Sequence, residues 1–219
     1  MTELDTRAKP ASRGFRFDLR EATRDEHASL DSHPAFASLL SGRLELHGYA
    51  RLMALFHAFY RSHDPIIGNA CRIHGLHMAG FEYAPRKEIL RHDLAALGVE
   101  PIAPAQIGEG TLPLMSSAAA TCGTLYVVEG SMLGGSVLGG AVGSLFTGTS
   151  GGKGYWQWCA QAGAGRWAMT CKTIDNLASD DASRTDMIAA ARTAFRTFGA
   201  WLALWRDDGS NKALGRARC

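Results

Sequence analysis

Eight histidines and one stretch crowded with glycine are the residues of this 219-residue chain whose types and spacing could do chemistry. His74 and His77 lie one helical turn apart, but Gly75 and Gly80 interrupt the rigid helix they would need. No carboxylate stands in register with them, which argues against a metal there. A di-iron bundle would need Glu-x-x-His pairs on facing helices, whereas Glu88 and His92 are four apart and stand alone. His57 and His63 fall on the polar side of an aromatic helix and are expected to face solvent; His33 and His47 flank helix starts. His27 differs from these, because it borders an apolar helical stripe with Arg20 before it and Asp31 one turn after it. An imidazole so placed can ligate a metal or cofactor, and taken alone it equally fits a structural histidine.

The second feature is Leu125 to Gly140, a helical pattern that contains Gly130, Gly134, Gly135, Gly139 and Gly140. Each glycine inside a helix costs about 1 kcal/mol relative to alanine, so five cost roughly 5 kcal/mol. That is comparable with the net stability of a whole domain, about 5–15 kcal/mol. Two compensations are open: close packing of a neighbouring helix on the small face, or close approach of a ligand to bare backbone. Phosphate-cradling loops are excluded, since neither G-x-G-x-x-G after a strand nor G-x-x-x-x-G-K-[ST] occurs and Gly152-Lys153-Gly154 lacks the remaining elements. Glu129 and several serines interrupt the apolar run, so no membrane span is expected.

Composition narrows the class. A chain with 46% hydrophobic and 20% charged residues can bury one large core. A net charge of +2, with no block of like charges, gives no footprint for nucleic acid. The five cysteines, Cys71, Cys122, Cys159, Cys171 and Cys219, form neither a C-x-x-C pair nor a disulfide framework. Met1 to Ser12 carries no apolar signal core. A reduced, cytoplasmic protein is the expectation.

The elements that must position these residues read as helices throughout. The periodicity predicts one helix over about Phe17–Asp31 and a short one over Pro34–Leu40, with Pro34 in its first turn and Gly42 beyond its end. Leu46, Tyr49, Leu52, Met53, Phe56, Phe59 and Tyr60 mark a long amphipathic helix that should stop or kink at Asp64-Pro65. Pro85–Leu97 follows, closed by Gly98, and the glycine-rich helix is expected from about Leu114 to Leu145. The cluster at Tyr155, Trp156, Trp158 and Trp167 suggests a helix pair. Ile188, Phe195 and Leu202, with Ala191, Phe198 and Trp205, give the last helix a core-facing stripe over about Ser183–Trp205. With no strand pattern the fold is all-α, a loose arm at 1–14 and a tail at 207–219 flanking a single domain at 15–206.

A helical histidine opposite a glycine-rich helix could bracket a flat apolar ligand, and haem suits that arrangement: imidazole on one face, bare backbone close to the other, basic residues at the edge. Leu19-Arg-Glu-Ala-Thr-Arg-Asp-Glu-His27-Ala-Ser-Leu-Asp31 resembles the first-helix motif of the heme oxygenase family. Tyr126-Val-Val-Glu-Gly-Ser-Met-Leu-Gly134-Gly135 is similar to that family's distal helix in its bacterial branch. The resemblance spans about residues 15–206 and implies a multi-helix bundle that sandwiches haem between a proximal and a glycine-rich distal helix. It implies that His27 is the axial ligand of the haem iron, that Gly130 and Gly134 are the distal glycines, and that Arg20 and Tyr126 contact propionates. Ser131 stands where animal members carry an aspartate that orders the proton-delivering waters. Arg166 and Lys172 are both candidates for a further propionate contact.

The implied activity is oxidative cleavage of haem to biliverdin, carbon monoxide and ferrous iron, with haem as both substrate and cofactor and dioxygen as co-substrate. No flavin or nicotinamide fingerprint occurs, so a ferredoxin or a flavoprotein reductase is the expected electron donor, and a bacteriophytochrome is a conceivable biliverdin acceptor. The alternative is a haem or bilin carrier of the same fold that binds without turnover, to which Ser131 points. A helical enzyme of other chemistry would want an activated cysteine or inward carboxylates, and only Cys122 lies near the glycine helix.

Overall fold

The computed structural model describes residues 14–102, 112, 114–145, 148 and 151–206. Most of the expected arm at 1–14 and all of the tail at 207–219 lie outside these residues. Among them are eight α-helices and no strand: α1 (Arg16–Ala22), α2 (Arg24–Asp31), α3 (Pro34–Leu40), α4 (Leu46–Ile73), α5 (Lys87–Ala96), α6 (Ala118–Leu145), α7 (Gly154–Leu177) and α8 (Asp181–Leu202), with one 3-10 turn at Leu76–Ala79. The all-α expectation is met.

The glycine-rich helix α6 packs along both α7 and α8, and these three form one layer of the bundle. Its length and apolar character would suffice to cross a membrane, which the sequence reading did not anticipate. In the fold it is a core helix whose residues from Ala119 to Val128 are buried. Against this layer stands α4, itself covered by α3, α5, α6 and α8. Phe56, Phe59 and Tyr60 of α4 meet Tyr155 and Trp156 of α7 and Phe198 and Trp201 of α8 in tilted and edge-to-face contacts with centroids 5.0–6.3 Å apart, a geometry that aromatic quadrupoles favour.

Four expectations need correction. The first helix divides at Thr23, because the Thr23 hydroxyl donates to Leu19 O (2.7 Å) while Arg192 Nε takes Ala22 O (2.8 Å). A β-branched hydroxyl bonded back into the preceding turn interrupts a helix in this way. Pro65 does not end α4, which continues to Ile73. Asp64 beside it accepts from Arg86 N (2.7 Å), Lys87 N (2.8 Å) and the Tyr83 hydroxyl (2.6 Å), tying this turn to the start of α5. The expected pair of helices after residue 154 is one helix, α7, whose first amides at Gly154 and Tyr155 are capped by Asp93 at 2.7 and 2.8 Å. Gly163 does not break it; a Cβ there would lie 3.3 Å from Met132 Cβ, so this glycine is a packing contact with α6.

The fourth correction concerns His57 and His63, which are buried rather than solvated, since α4 is enclosed on nearly every side. His63 Nδ1 lies 2.7 Å from Phe59 O and its ring rests on Phe59 and Trp201. Burial, with Arg61 and Arg91 outweighing Glu88, holds His57 below the ordinary histidine value, and burial also lowers His33. A base that stays neutral in the folded state favours folding above its unfolded pKa of about 6.5, and that contribution falls as the unfolded chain protonates. Urea denaturation should therefore show lower stability at pH 5.5 than at 7.5, with a smaller difference in His57→Leu. An unchanged difference in the variant would remove His57 from the account.

Candidate functional site

The histidine singled out by sequence sits on a helix held from both sides. Glu26 of α2 accepts from Arg196 at 2.9 Å, with Arg192 at 3.9 Å, so two cations of α8 fasten α2. On the other side the Tyr126 side chain, from α6, lies near Thr23 at the division between α1 and α2, within electrostatic reach of Arg20. Burial pushes the Tyr126 phenol up, with Thr23 and Arg20 acting against it. Two of the residues assigned to the ligand edge, Arg20 and Tyr126, are thus brought together. His27 remains 59% exposed, an unusual placement for an imidazole whose edge rests on Phe195 at 5.7 Å. Its Nδ1 lies 2.9 Å from Asp31 Oδ2. A proton on Nδ1, donated to that carboxylate, leaves Nε2 as a free lone pair oriented for a ligand bond.

On α6 the glycines divide the two compensations between them. At Gly123 an added Cβ would stand 2.2 Å from Met187 O, so α6 and α8 cross here backbone to backbone. Gly135 and Gly139 face Cys159 and Trp156 of α7, each with a would-be Cβ at 3.0 Å. At Gly134 an added Cβ would meet nothing within 4 Å. Leu133 and Val137 beside it are exposed apolar residues, so this part of α6 presents bare backbone and aliphatic surface to open space. Gly130, also assigned to the ligand by sequence, is covered: the Trp167 indole lies 3.2 Å from its would-be Cβ.

Behind this face lies a buried charge cluster. Glu129, with no solvent exposure, meets Arg86 Nη2 at 2.9 Å and accepts a two-armed bond from Arg166 at 2.8 Å per arm. Burial would raise the Glu129 carboxyl, but Arg86 and then Arg166 outweigh it and hold it below the usual value. Arg166 also reaches Glu82 O at 3.1 Å. Its guanidinium is therefore committed inward, and of the two basic candidates on α7 only Lys172 faces solvent. The Ser131 hydroxyl donates to Val128 O at 2.8 Å and lies near the buried Tyr60 phenol, which burial pushes up while Arg86 and the neighbouring hydroxyls of Ser131 and Tyr155 act against it. Phe59, Tyr60, Ser131, Ala194 and Phe198 border a small cavity with about 10 Å³ of space for a water centre, room for a single water.

A larger groove of about 500 Å³ opens between the start of α1 and the face of α7, lined by Arg16, Trp167, Cys171, Lys172 and Asp175. The α1 end is anchored by Phe15 N donating to Asp175 Oδ1 at 2.7 Å. Sequence reasoning named Trp167 only for packing and missed the Glu129 cluster and Tyr60. Glu129 in an apolar helix was itself a signal, because a buried carboxylate requires a cationic partner. No sequence spacing connects it to Arg86.

Comparison with known proteins follows this geometry. Residues 13–203 match the family model described as heme oxygenase. A curated heme oxygenase of Xanthomonas campestris pv. campestris (strain 8004) is 34% identical over 125 residues, covering 57% of this chain and 72% of the relative. Heme oxygenase of Leptospira interrogans aligns in structure with a TM-score of 0.71 at 20% identity, over 87% of this chain and 99% of that one. Heme oxygenase-1 of the cyanobacterium Synechocystis sp. PCC6803, solved in complex with heme, gives 0.67 at 17% identity, over 87% and 91%. At these identities the two structures show a shared fold.

The division among the α6 glycines is testable by stability alone. Gly134→Ala should leave the urea midpoint unchanged or raise it, since alanine favours the helix by up to about 1 kcal/mol. Gly123→Ala should lower stability by about 1–3 kcal/mol or more through backbone overpacking. Equal effects at both positions would contradict the assignment of packing to one and open surface to the other.

Proposed function

The chain belongs to the heme oxygenase family, and from that premise we propose that it binds haem between α2 and the exposed face of α6 and cleaves it oxidatively to biliverdin, releasing carbon monoxide and ferrous iron. The observation that carries the reading is the pairing of an exposed, carboxylate-oriented His27 with bare helical backbone at Gly134. The residues fit the group: His27 Nε2 is left free as the axial donor, Gly134 offers backbone without a side chain in the way, and Arg20 with the Tyr126 edge supplies polar partners for carboxylates. When bound, haem supplies the oxygen-activating iron and is itself the molecule opened.

The chain's own share is to bind, orient and shield. Asp31 fixes the imidazole tautomer, so that a neutral nitrogen rather than a thiolate faces the ligand. The exposed apolar side chains of Leu133 and Val137 would lie against a bound haem and keep water from it. Ser131 donates its one hydroxyl proton inward to Val128 O, so toward the distal face its Oγ would act as an acceptor for a proton-carrying water. In this reading 15–206 acts as one domain, dioxygen enters over Gly134, and electrons come from a ferredoxin or a flavoprotein reductase; a bacteriophytochrome is a suitable acceptor for the product.

One observation favours the carrier reading: the hydroxyl standing in for the family's aspartate is bonded inward, which leaves no carboxylate to order distal water. Titration of the purified protein with hemin, followed in air by ferredoxin and its reductase, separates the two. The enzyme reading predicts loss of the Soret band and growth of a broad red biliverdin band. A stoichiometric complex that persists with several donors would establish the carrier instead.

A further inference from the structure

Of the two glycines that sequence places against the ligand, only Gly134 faces open space; Gly130 lies beneath the indole of Trp167. Trp167 is fixed there by more than this contact. Its ring packs on Tyr126 with centroids 5.5 Å apart and a tilt of 55°, and its remaining edge lines the groove that Arg16 and Lys172 share. The indole therefore touches Tyr126, which lies within electrostatic reach of Arg20, and also borders the groove that Arg16 and Lys172 line. A macrocycle seated against Gly130 and Tyr126 would meet that indole, and the cations that could take its carboxylates, Arg20, Arg16 and Lys172, all lie near residues that the indole touches or beside which it lines the groove.

We propose that Trp167 is a specificity-determining residue that sets the in-plane seating of haem, and through it which meso carbon is opened. The inference rests on the haem-cleaving reading of the site. Its physical basis is steric. Backbone beneath Gly134 accepts a flat ligand, whereas the indole denies the same approach at Gly130, so rotation of the macrocycle about its own normal brings its substituents against the ring in some orientations and not in others. A misfit of one or two methylene-sized groups at such a wall is worth about 1–3 kcal/mol, or 10–200-fold in discrimination. Gly130 has a matching role: with glycine at this position the benzo edge of the indole can approach α6 closely, and a Cβ would push it outward by a few tenths of an ångström.

The test uses the full chain loaded with hemin, as wild type, Trp167→Leu and Trp167→Phe. Proton NMR of the ferric cyanide complexes reads the haem-methyl pattern, and chromatography of the product reads the biliverdin isomers. Wild type should show one dominant methyl pattern and one dominant isomer. Trp167→Leu keeps apolar volume but removes the wall, and should give a second methyl pattern with a shift of about tenfold in the isomer ratio. Trp167→Phe should shift both less. Should the leucine variant fail to fold, as judged by helical circular dichroism, the phenylalanine variant decides alone. Unchanged methyl patterns and isomer ratios in a folded variant overturn the proposal while leaving the haem-cleaving function intact. Failure of wild type to bind hemin would overturn that function itself, and this inference with it.

Discussion

A single buried carboxylate constrains the whole arrangement. Glu129 lies in a long, strongly apolar helix, and an unpaired ionised carboxylate there would cost several kcal/mol. It is accommodated because Arg86, just before α5, and Arg166, on α7, converge on it from two directions. Arg86 is itself enclosed by the rings of Tyr60, Tyr83 and Trp158, with centroids 5.0–5.5 Å from its guanidinium carbon, and each ring contributes a cation–π contact that compensates lost hydration. This cluster fixes the rotation of α6 about its axis. The faces of the residues that follow Glu129 along the helix are set by that rotation.

With the rotation set, the glycines of α6 serve different ends. Those facing α7 and α8 are absent side chains that let helices approach, and the interhelical packing gained offsets their poor helix propensity. Gly134 has no such neighbour, so packing within the chain gives it no compensation, and its cost is offset only if something outside the chain uses the bare backbone. On α2, Glu26 is held by Arg196 of α8, while His27 is left exposed with its imidazole beside Asp31. Both elements assigned to the ligand are thus anchored to the bundle, α2 through Arg196 and α6 through its packing on α7 and α8.

Much of this was legible in the sequence because it depends on periodicity. The short helix Pro34–Leu40 has the predicted bounds, and the core stripe of α8 buries Ala191, Phe195 and Leu202 and carries Phe198 into the aromatic cluster as spacing implies, whereas Trp201 joins that cluster from outside the predicted stripe. His27 stood out by its place on an apolar helix border, while Gly134, Arg20 and Tyr126 were singled out by the family resemblance; the structure leaves His27 and Gly134 exposed or facing open space. What escaped depends on contacts distant in sequence. Nothing local announces that Arg192 takes the carbonyl of Ala22, dividing the first helix, or that Asp64 caps the start of α5 and so accommodates Pro65 inside α4. The burial of His57 and His63 was hidden because a helix enclosed on all sides can carry polar residues on the face that its own periodicity assigns to water. Trp167 over Gly130 is a tertiary fact of the same kind, since α7 and α6 meet there 37 positions apart in the sequence.

The central claim is that His27 is the nitrogen donor to haem iron, and the most direct measurement is the axial-ligand spectrum of the hemin complex, by electron paramagnetic resonance and resonance Raman, for wild type and His27→Ala with and without added imidazole. The account predicts a histidine-ligated signature in wild type, its loss in His27→Ala, and its return when imidazole fills the vacated position. An identical histidine signature in His27→Ala without imidazole would show that another residue holds the iron, and the slot between α2 and α6 would no longer be the site.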